Sequence, residues 1–324
     1  MTHAVRIHQH GGPEALSWDA VEVGAPGPGE VRLRQTAVGV NFIDVYHRTG
    51  LYPVPALPCC LGSEGAGVVE AVGEGVRDVK VGMRVAYAGG LGAYAEARRY
   101  PADRLVPLPD ELDDESAAAL MLKGMTAEYL IRRTYPVKAG ETLLVHAAAG
   151  GVGLLMCQWA RALGATVIGT VSSDAKAELA RAHGCAHPVV TTREDFVAVV
   201  KRLTGGAGVP VVYDSVGKDT WERSLACLRP RGLMVSFGNA SGAVPPFAPS
   251  ALAAGGSLFL TRPTLGHYIA TREALLESAH QVFALVRDGA LKLAVHHRYP
   301  LRDAATAHRE LEARRTTGAT VLRV

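Results

Sequence analysis

Three features are missing from the sequence, and each absence excludes a class of protein. No apolar run reaches the roughly 18 residues of a membrane-spanning helix, because the best candidate, around Leu154, is interrupted by Arg161. The first residues, MTHAVRIHQHGG, contain no apolar core of the length that a secretory signal needs. Lys and Arg are scattered rather than grouped in blocks, which disfavours a nucleic-acid-binding face. We therefore expect a soluble, cytoplasmic protein without a membrane or nucleic-acid partner.

Cysteine is also scarce. The five cysteines stand at positions 59, 60, 157, 185 and 227, and none of them forms a C-x-x-C motif. This spacing predicts neither a disulfide framework nor a zinc ribbon. The cysteine usage therefore fits a reduced compartment.

With 324 residues, the chain is long enough for two domains. Residues 1–124 are rich in short apolar runs broken by Gly and Pro, among them VRLRQTAVGV, GAGVVEAVG and GMRVAYAGG. Such evenly spaced runs predict short strands joined by turns. We expect this part to form a barrel or sandwich with one or two helices.

The pattern changes at about residue 125. Predicted strands and helices then alternate in the order strand TLLVHAAA, helix GVGLLMCQWARALG, strand ATVIGTV and helix DAKAELARAHG. Asp174 is the predicted N-cap of the last helix. Strict alternation of strand and helix predicts a doubly wound parallel sheet and an α/β fold class. We assign residues 125–264 to this domain. Residues 1–124 and 265–324 form the other domain, because the short tail is too small for its own core.

The motif HAAAGGVG, residues 146–153, lies between a predicted strand and a predicted helix. Its pattern, Ala148-x-Gly150-x-x-Gly153, is typical of a turn that binds a dinucleotide. Gly150 and Gly151 let the backbone approach a pyrophosphate, Gly153 lets the helix pack closely on the sheet, and the helix N-terminus attracts the phosphates. The alternative is a tight strand–helix turn without a ligand.

The acidic residue that usually follows such a turn is missing. A sheet specific for NAD ends its second strand with Asp or Glu, which binds the ribose 2′-hydroxyl. Here that strand ends in Val171, and Ser172 and Ser173 follow it. Hydroxyls do not repel a 2′-phosphate, and Lys176 and Arg193 are candidates to bind it. The sequence therefore favours NADPH, with a solvated surface role as the alternative for Lys176.

Residues 140–161, GETLLVHAAAGGVGLLMCQWAR, resemble the signature of the zeta-crystallin-like quinone oxidoreductases, which are medium-chain dehydrogenases/reductases. The resemblance extends along nearly the whole chain and includes NFIDVYHRTGLYP, LGSEGAGVV, LMLKGMTAEYL and GLMVSFGNASGAV. It implies a GroES-like β-barrel catalytic domain, a Rossmann domain that binds NADPH, and a homodimer.

Many members of that superfamily carry a catalytic zinc ion, but this sequence departs from their ligand pattern. Asn41 stands where zinc members have a Cys, and Gly62-Ser63-Glu64 stands where they have Gly-His-Glu. The structural lobe with four cysteines is absent, and Cys59 and Cys60 fit a loop or core better than a metal site. We predict that the protein binds no metal.

The resemblance also implies the residues that bind the acceptor and the cofactor. A flat quinone needs placement against the nicotinamide and little other help, and phenol rings can stack on it. The predicted acceptor residues are Asn41, Asp44, Tyr46 and Tyr52. Further predicted cofactor residues are Lys123, Tyr129, Val152, Ser215, Gly217, Phe237, Gly238, Asn239, Arg262, Pro263 and Arg314. The stretch TTRED lacks a Tyr that close relatives have before Arg193, which weakens the assignment of contacts to the adenine there.

Two other functions remain open at this stage. The same architecture supports reduction of α,β-unsaturated aldehydes or ketones, a reaction that must stabilise an enolate oxygen. A protein that keeps NADPH as a structural ligand, or that binds single-stranded nucleic acid, would need a basic face with exposed aromatic residues, and the sequence shows none. Reduction of a quinone held in an interdomain cleft is the function that we expect.

Overall fold

The computed structural model describes all residues, Met1–Val324, and the chain divides into two units. Unit 1 comprises Met1–Met125, Ile269–His280 and Leu293–Val324, and unit 2 comprises Thr126–Tyr268 and Gln281–Lys292. The divisions fall after residues 125 and 268, where the sequence suggested 124 and 264. Residues 281–292 belong to unit 2, so the division between the units falls within the helix Arg272–Arg287.

The N-terminal part of unit 1 consists mainly of short strands. Its elements are β1 (Thr2–Ile7), β2 (Leu16–Val21), β3 (Glu30–Val40), α1 (Phe42–Thr49), β4 (Cys59–Cys60), β5 (Glu64–Val72), β6 (Arg84–Ala88), β7 (Ala97–Pro101), β8 (Val106–Pro107) and the start of α2 (Asp114–Glu128). The core between them contains Leu33, Val38, Leu61, Val85 and Leu105, all fully buried. Strands broken by glycine turns and packed on an apolar core are the arrangement that the sequence of this part predicts.

Unit 2 alternates strands and helices. Its elements are β9 (Thr142–Val145), α3 (Gly151–Ala162), β10 (Thr166–Val171), α4 (Asp174–Ala182), β11 (His187–Val190), α5 (Phe196–Leu203), β12 (Val209–Asp214), α6 (Trp221–Ala226), β13 (Leu228–Ser236), α7 (Ser250–Ala254), β14 (Phe259–Thr261) and α8 (Leu265–Tyr268). The sheet has the order β11-β10-β9-β12-β13-β14, and every pairing is parallel. The predicted doubly wound parallel sheet is therefore confirmed.

The C-terminal elements return to the sheet of unit 1. They are α9 (Arg272–Arg287), β15 (Val295–Pro300), α10 (Ala304–Glu312) and β16 (Ala319–Arg323). Strand β16 pairs antiparallel with β3 and extends that sheet to the order β15-β16-β3-β5-β6-β8, with β7 also on β3. A second sheet has the order β2-β1-β4. The tail thus packs on the first part of the chain, as its small size suggested.

Helix α4 begins differently from the prediction. Ser173, and not Asp174, is the N-cap, and its hydroxyl accepts a hydrogen bond from the backbone N–H of Lys176. Asp174 is the first helical residue, and its carboxylate binds Arg193 instead, with Nη1–Oδ2 at 2.7 Å and Nη2–Oδ1 at 2.6 Å. Serine caps a helix as well as aspartate does, so the sequence alone could not choose between neighbouring candidates.

None of the helices combines the length and the apolar character that crossing a lipid bilayer requires. The most apolar elements are instead the central strands of unit 2, of which β12 is buried along its whole length. Burial on both faces explains why these strands appear in the sequence as continuous apolar runs rather than as alternating ones.

Candidate active site

The glycine turn lies at the carboxyl end of β9. Gly150 is the N-cap of α3, with an extended backbone, so the helix begins at Gly151 and Val152 with its first N–H groups unpaired. A Cβ on Gly153 would overlap the carbonyl oxygen of Ala147 and the backbone of Ala148, which explains why no larger residue fits there. The turn therefore has the close helix–strand contact and the free helix N-terminus that a pyrophosphate needs.

A buried chain of hydrogen-bonded side chains passes through His146, the first residue of the glycine motif. His146 Nδ1 contacts Thr170 Oγ1 at 2.9 Å and His146 Nε2 contacts Ser224 Oγ at 2.9 Å, while Ser224 Oγ donates to Asp214 Oδ2 at 2.8 Å. Burial lowers the pKa of His146, so the ring is neutral. The chain ties the ends of β9, β10 and β12 to helix α6.

Asp214 also shapes the second predicted cofactor loop. Its Oδ1 accepts the backbone N–H groups of Val216 at 2.8 Å and Gly217 at 3.0 Å. Gly217 has a φ of 90°, a left-handed conformation that favours glycine. Ser215, the first residue of this loop, is half-buried. The carboxylate of Asp214 therefore acts as a structural anchor for the loop.

The third loop follows β13 and is held by Arg262. The Nη1 atom of Arg262 donates to the carbonyl oxygens of Ser236 at 2.9 Å and Gly238 at 3.1 Å. With the Asn239 amide oriented to satisfy both of its ends, its oxygen accepts from Arg262 Nη2 at 3.1 Å. Phe237 is tied back to the carbonyl oxygen of Asp214 by its own N–H, at 2.8 Å, and Pro263 follows Arg262 directly.

These loops come together because of the strand order. Strands β10, β9, β12 and β13 are adjacent in the sheet, and the segments that follow them begin respectively at Ser172, at the glycine turn, at Ser215 and at Phe237. A Cβ on Gly238 would overlap the backbone of Ser215, which shows how closely the last two loops approach each other. Ligands of open α/β sheets bind at this carboxyl edge. The residues of unit 2 therefore fit a dinucleotide.

The residues at the end of β10 differ in how accessible they are to a phosphate. Ser173 is exposed, and Ser172 and Lys176 are half-buried beside it. Arg193 is exposed, but its guanidinium is occupied by Asp174. The ion pair neutralises the one carboxylate next to this strand end. A 2′-phosphate would consequently meet hydroxyls and Lys176 here, while Arg193 is already paired.

Two other predicted cofactor residues, Tyr129 and Arg314, each contact a residue of their own unit. Tyr129 is buried in a π-helical segment, Tyr129–Thr134, and stacks on Tyr268 with ring centroids 4.4 Å apart and an interplanar angle of 16°. Arg314 follows α10 in unit 1 with a φ of 57°, and its N–H donates to the carbonyl oxygen of Leu311 at 3.0 Å.

In unit 1, the start of α1 brings together the polar residues predicted for the acceptor. Asn41 precedes the helix, and Asp44 Oδ2 accepts its backbone N–H at 2.8 Å, so the aspartate closes the first turn. Asp44 is fully buried and also accepts hydrogen bonds from Ser63 Oγ and Tyr94 Oη, each at 3.0 Å. Burial raises the pKa of Asp44 to about 7, against the lowering effect of its three donors.

Glu64 is the centre of a second buried cluster. Its Oε1 accepts from Asn41 Nδ2 at 2.8 Å and from Lys123 Nζ at 2.5 Å, and its Oε2 accepts from the backbone N–H of Leu122 at 2.7 Å. The ammonium group of Lys123 is thus neutralised within unit 1. The carboxylate fixes the Asn41 amide with its nitrogen toward Glu64.

The two predicted tyrosines form an aromatic pair. The rings of Tyr46 and Tyr52 lie 5.1 Å apart with an interplanar angle of 62°, and Phe42 lies 6.3 Å from Tyr46. The backbone N–H of Tyr52 donates to the carbonyl oxygen of Tyr46 at 3.0 Å, which holds the segment after α1 against the helix. Edge-to-face rings at this distance are a favourable pairing.

Several residues of the site were not predicted from the sequence. Ser63 and Glu64 entered only as positions without zinc ligands, although they bind Asp44 and Asn41. Tyr94, His308 and Arg48 extend the Asp44 cluster, and the structure brings them together across long sequence separations. Of the residues in this cluster, the sequence motif around residue 41 indicated only Asp44.

The positions that carry zinc ligands in other members have different partners here. Asn41 and Ser63 bind carboxylates, and burial raises the pKa of the Cys60 thiol to about 12. No three His, Cys, Asp or Glu side chains are grouped so that they could hold a metal ion.

Comparisons with known proteins agree with this architecture. Residues 27–110 match the family described as alcohol dehydrogenase GroES-like domain, and residues 151–279 match the family described as zinc-binding dehydrogenase. A quinone oxidoreductase from Pseudomonas aeruginosa is 55% identical over 99% of both chains. A 2-haloacrylate reductase from Burkholderia sp. is 51% identical, also over 99% of both. The crystal structure of Escherichia coli quinone oxidoreductase complexed with NADPH has a TM-score of 0.98 and 49% identity, and covers 99% of this chain and 100% of that one.

A GroES-like part combined with a parallel sheet and a glycine turn defines the protein as a medium-chain dehydrogenase/reductase. Within that superfamily the chain belongs to the quinone oxidoreductase family, because its similarity to members of that family extends over its full length.

Proposed function

We propose that the protein is an NADPH-dependent reductase of quinones that works without a metal ion. The observation that carries the proposal is the carboxyl edge of the parallel sheet, where the glycine turn is followed by a strand end without an available carboxylate. NADPH bound there supplies a hydride to an electron acceptor. The NADPH complex of the similar quinone oxidoreductase from Escherichia coli supports this choice of cofactor.

We assign a role to each of these cofactor residues from its surroundings. The N-terminus of α3, at Gly150–Gly153, binds the pyrophosphate. Ser172, Ser173 and Lys176 bind the 2′-phosphate by hydrogen bonds and charge. The loops 215–217 and 237–239, anchored by Asp214 and Arg262, bind the rest of the dinucleotide.

The acceptor binds to unit 1, at the start of α1 and the aromatic pair. Tyr46 and Tyr52 provide aromatic rings on which a flat quinone can pack. Asn41 is held at the start of α1 by hydrogen bonds to Glu64 and Asp44. Fixed polar groups beside an aromatic surface suit an acceptor that needs orientation more than activation.

Reduction of an activated carbon–carbon double bond is the second candidate function. The observation that favours it is the 51% identity to a 2-haloacrylate reductase, whose name indicates an unsaturated carboxylate as acceptor. Both reactions transfer a hydride and leave negative charge on an oxygen of the acceptor. Both functions would therefore use the same cofactor site, and the residues that bind the acceptor would decide which acceptor is reduced.

The partners of Asn41 and Ser63 support the proposal that the protein works without a metal ion. Each is engaged with a buried carboxylate, and neither side chain is a thiolate or an imidazole, the ligands that zinc prefers besides carboxylate. A homodimer and a cytoplasmic location stay predictions. The dimer is supported by β14, an edge strand on which Phe259 is 61% exposed.

A panel of acceptors under steady-state conditions tests the proposal. Benzoquinone, naphthoquinone, an enone and a 2-haloacrylate are each offered with NADPH and with NADH, and oxidation of the nicotinamide is followed by absorbance. We expect the highest kcat/KM for a quinone with NADPH. A higher kcat/KM for the enone or the haloacrylate would instead assign the second function.

A further inference from the structure

A chain of six polar side chains, the first five buried and the last exposed, runs through unit 1 from the start of α1 to the surface. Its members, in order, are Ser63, Asp44, Tyr94, His308, Arg48 and Glu312. Arg48 is fully buried, and its Nη2 donates to Glu312 Oε1 at 2.7 Å while its Nε donates to the carbonyl oxygen of Gly11 at 3.1 Å. The chain is longer than one helix cap requires.

The direction of each hydrogen bond in this chain is fixed by Arg48. A guanidinium only donates, so Nη1 donates to His308 Nδ1, 3.0 Å away. The imidazole must then carry its proton on Nε2 and donate it to Tyr94 Oη at 3.0 Å. Burial and the neighbouring charge of Arg48 lower the pKa of His308 to about 3, which agrees with a neutral ring.

It follows that Tyr94 donates its own proton to Asp44 Oδ2. That oxygen also accepts the backbone N–H of Asn41, so both of its lone-pair directions are used by donors. Only Oδ1 is left to carry a proton, and its partner is Ser63 Oγ at 3.0 Å. A proton on Asp44 is therefore directed at the Ser63 hydroxyl.

We propose that Asp44 and Ser63 form a proton relay that protonates the oxygen of the reduced acceptor. This inference rests on the proposed function, and it names the proton donor of that reaction. The hydride brings two electrons and one hydrogen to the acceptor, and one acceptor oxygen becomes an anion. The Ser63 O–H bond breaks as its proton passes to that oxygen, and the Asp44 proton passes to Ser63 Oγ. Asp44 is left as a carboxylate, and solvent restores its proton after the product leaves.

The charges around Asp44 suit a group that both holds and releases a proton near neutral pH. Glu64 raises the pKa of Asp44 by its charge, and Lys123 is bound to Glu64. On the side of Asp44 away from Glu64, the hydrogen-bonded chain passes through Tyr94 and His308 to Arg48. Arg48 forms an ion pair with Glu312. Burial is the largest cause and raises the pKa to about 7. A pKa in this range lets a carboxyl group both hold and release a proton near neutral pH.

The relay is tested by Ser63→Ala and Asp44→Asn, with Ser278→Ala, a buried serine of α9, as the matched control. We expect both relay variants to lower kcat with a quinone by about 10²-fold, the lower end for general acid catalysis. The dissociation constant for NADPH stays unchanged, and a small buffer acid such as imidazolium partly restores the kcat of Ser63→Ala. Full kcat in Ser63→Ala would overturn the proposal.

The pH dependence gives a second test that a purely structural role would not pass. The acid form of Asp44 is the active one, so wild-type kcat falls as the pH rises through about 7. Tyr94→Phe removes a donor to the carboxylate, raises the pKa of Asp44 and moves that fall to higher pH. A profile that is identical in wild type and Tyr94→Phe contradicts the relay.

Infrared titration of the protein without substrate separates the relay from the proposed function. We expect a carboxylic acid C=O band that titrates near pH 7, is lost in Asp44→Asn and shifts in frequency in Ser63→Ala. Absence of that band overturns the relay even if the enzyme reduces quinones. If the protein shows the band but oxidises NADPH with none of the acceptors, the proposed function is contradicted. The hydrogen bond between protonated Asp44 and Ser63 is then still supported.

Discussion

Lys176 is the residue on which the choice between the two nicotinamide cofactors depends most. It lies in the first turn of α4, whose N-cap is Ser173, and the nearby carboxylate of Asp174 is paired with Arg193. We predict that NADPH binds at least tenfold more tightly than NADH, about 1.4 kcal/mol. Lys176→Ala should remove most of this difference and leave NADH binding unchanged, as measured by fluorescence titration.

The control for that measurement is Lys138→Ala, which removes an exposed lysine of the same unit away from the strand end. We expect it to keep the full preference for NADPH. Equal dissociation constants of NADPH and NADH in the wild type would show that the residues after β10 do not select the cofactor.

The tyrosine pair is predicted to hold the acceptor rather than to protonate it. Tyr46→Phe and Tyr52→Phe keep the rings and should lower kcat/KM by about tenfold or less, whereas an obligatory acid would lose about 10²- to 10⁴-fold. Tyr52→Ala removes one ring and should mainly raise the KM for the quinone while NADPH binding is unchanged. A thousandfold fall in the kcat of either Phe variant at constant KM would identify that tyrosine as the proton donor.

The contact between α3 and the turn that follows β9 sets the geometry of the cofactor site. A side chain at Gly153 would meet backbone atoms of Ala147 and Ala148, which cannot give way as a flexible side chain can. We predict that Gly153→Ala destabilises the protein by about 1–3 kcal/mol, the usual range for overpacking, and weakens NADPH binding. Gly266→Ala, where a Cβ meets open space, is the control. Thermal unfolding with and without NADPH measures both effects, and a Gly153→Ala protein equal to the control in both would refute the role of this contact.

The edge strand β14 is the second element with a testable consequence. It pairs with β13 on one side only, and an exposed apolar edge is an association site. Phe259→Glu should convert the expected homodimer to a monomer, whereas Val81→Glu, at an exposed turn of unit 1, should not. Analytical ultracentrifugation distinguishes these states. A Phe259→Glu protein that is still dimeric would show that β14 does not form the interface.

For the molecule as a whole, patterns that are local in sequence could be predicted, and clusters of distant residues could not. The strand–turn–helix around Gly150 and the alternation after residue 125 need only neighbouring residues, and the structure contains them. The cap of α4 was wrong by one residue, because Ser173 and Asp174 are both good caps. The contact of Arg48 with His308 spans 260 residues, so no local pattern indicates it.

The same distinction explains what was missed at the site. Asn41 and Asp44 lie in one recognisable segment, but Ser63, Tyr94 and His308 reach Asp44 from β-sheet connections and from α10. The fold of unit 1 alone brings them together. The chemistry of Asp44, whose pKa burial raises to about 7, is therefore a property of the tertiary structure rather than of the motif.

We propose that the protein reduces quinones with NADPH and without a metal ion, and one experiment tests all three parts of this proposal. The most direct measurement dialyses the protein against a strong chelator, verifies its metal content by elemental analysis, and then follows NADPH oxidation with a quinone by absorbance. We predict no stoichiometric zinc, full activity after dialysis, and a kcat/KM at least tenfold higher with NADPH than with NADH, the ratio expected from the binding difference. One zinc ion per chain with activity lost to the chelator, or no NADPH oxidation with any quinone, would contradict the account.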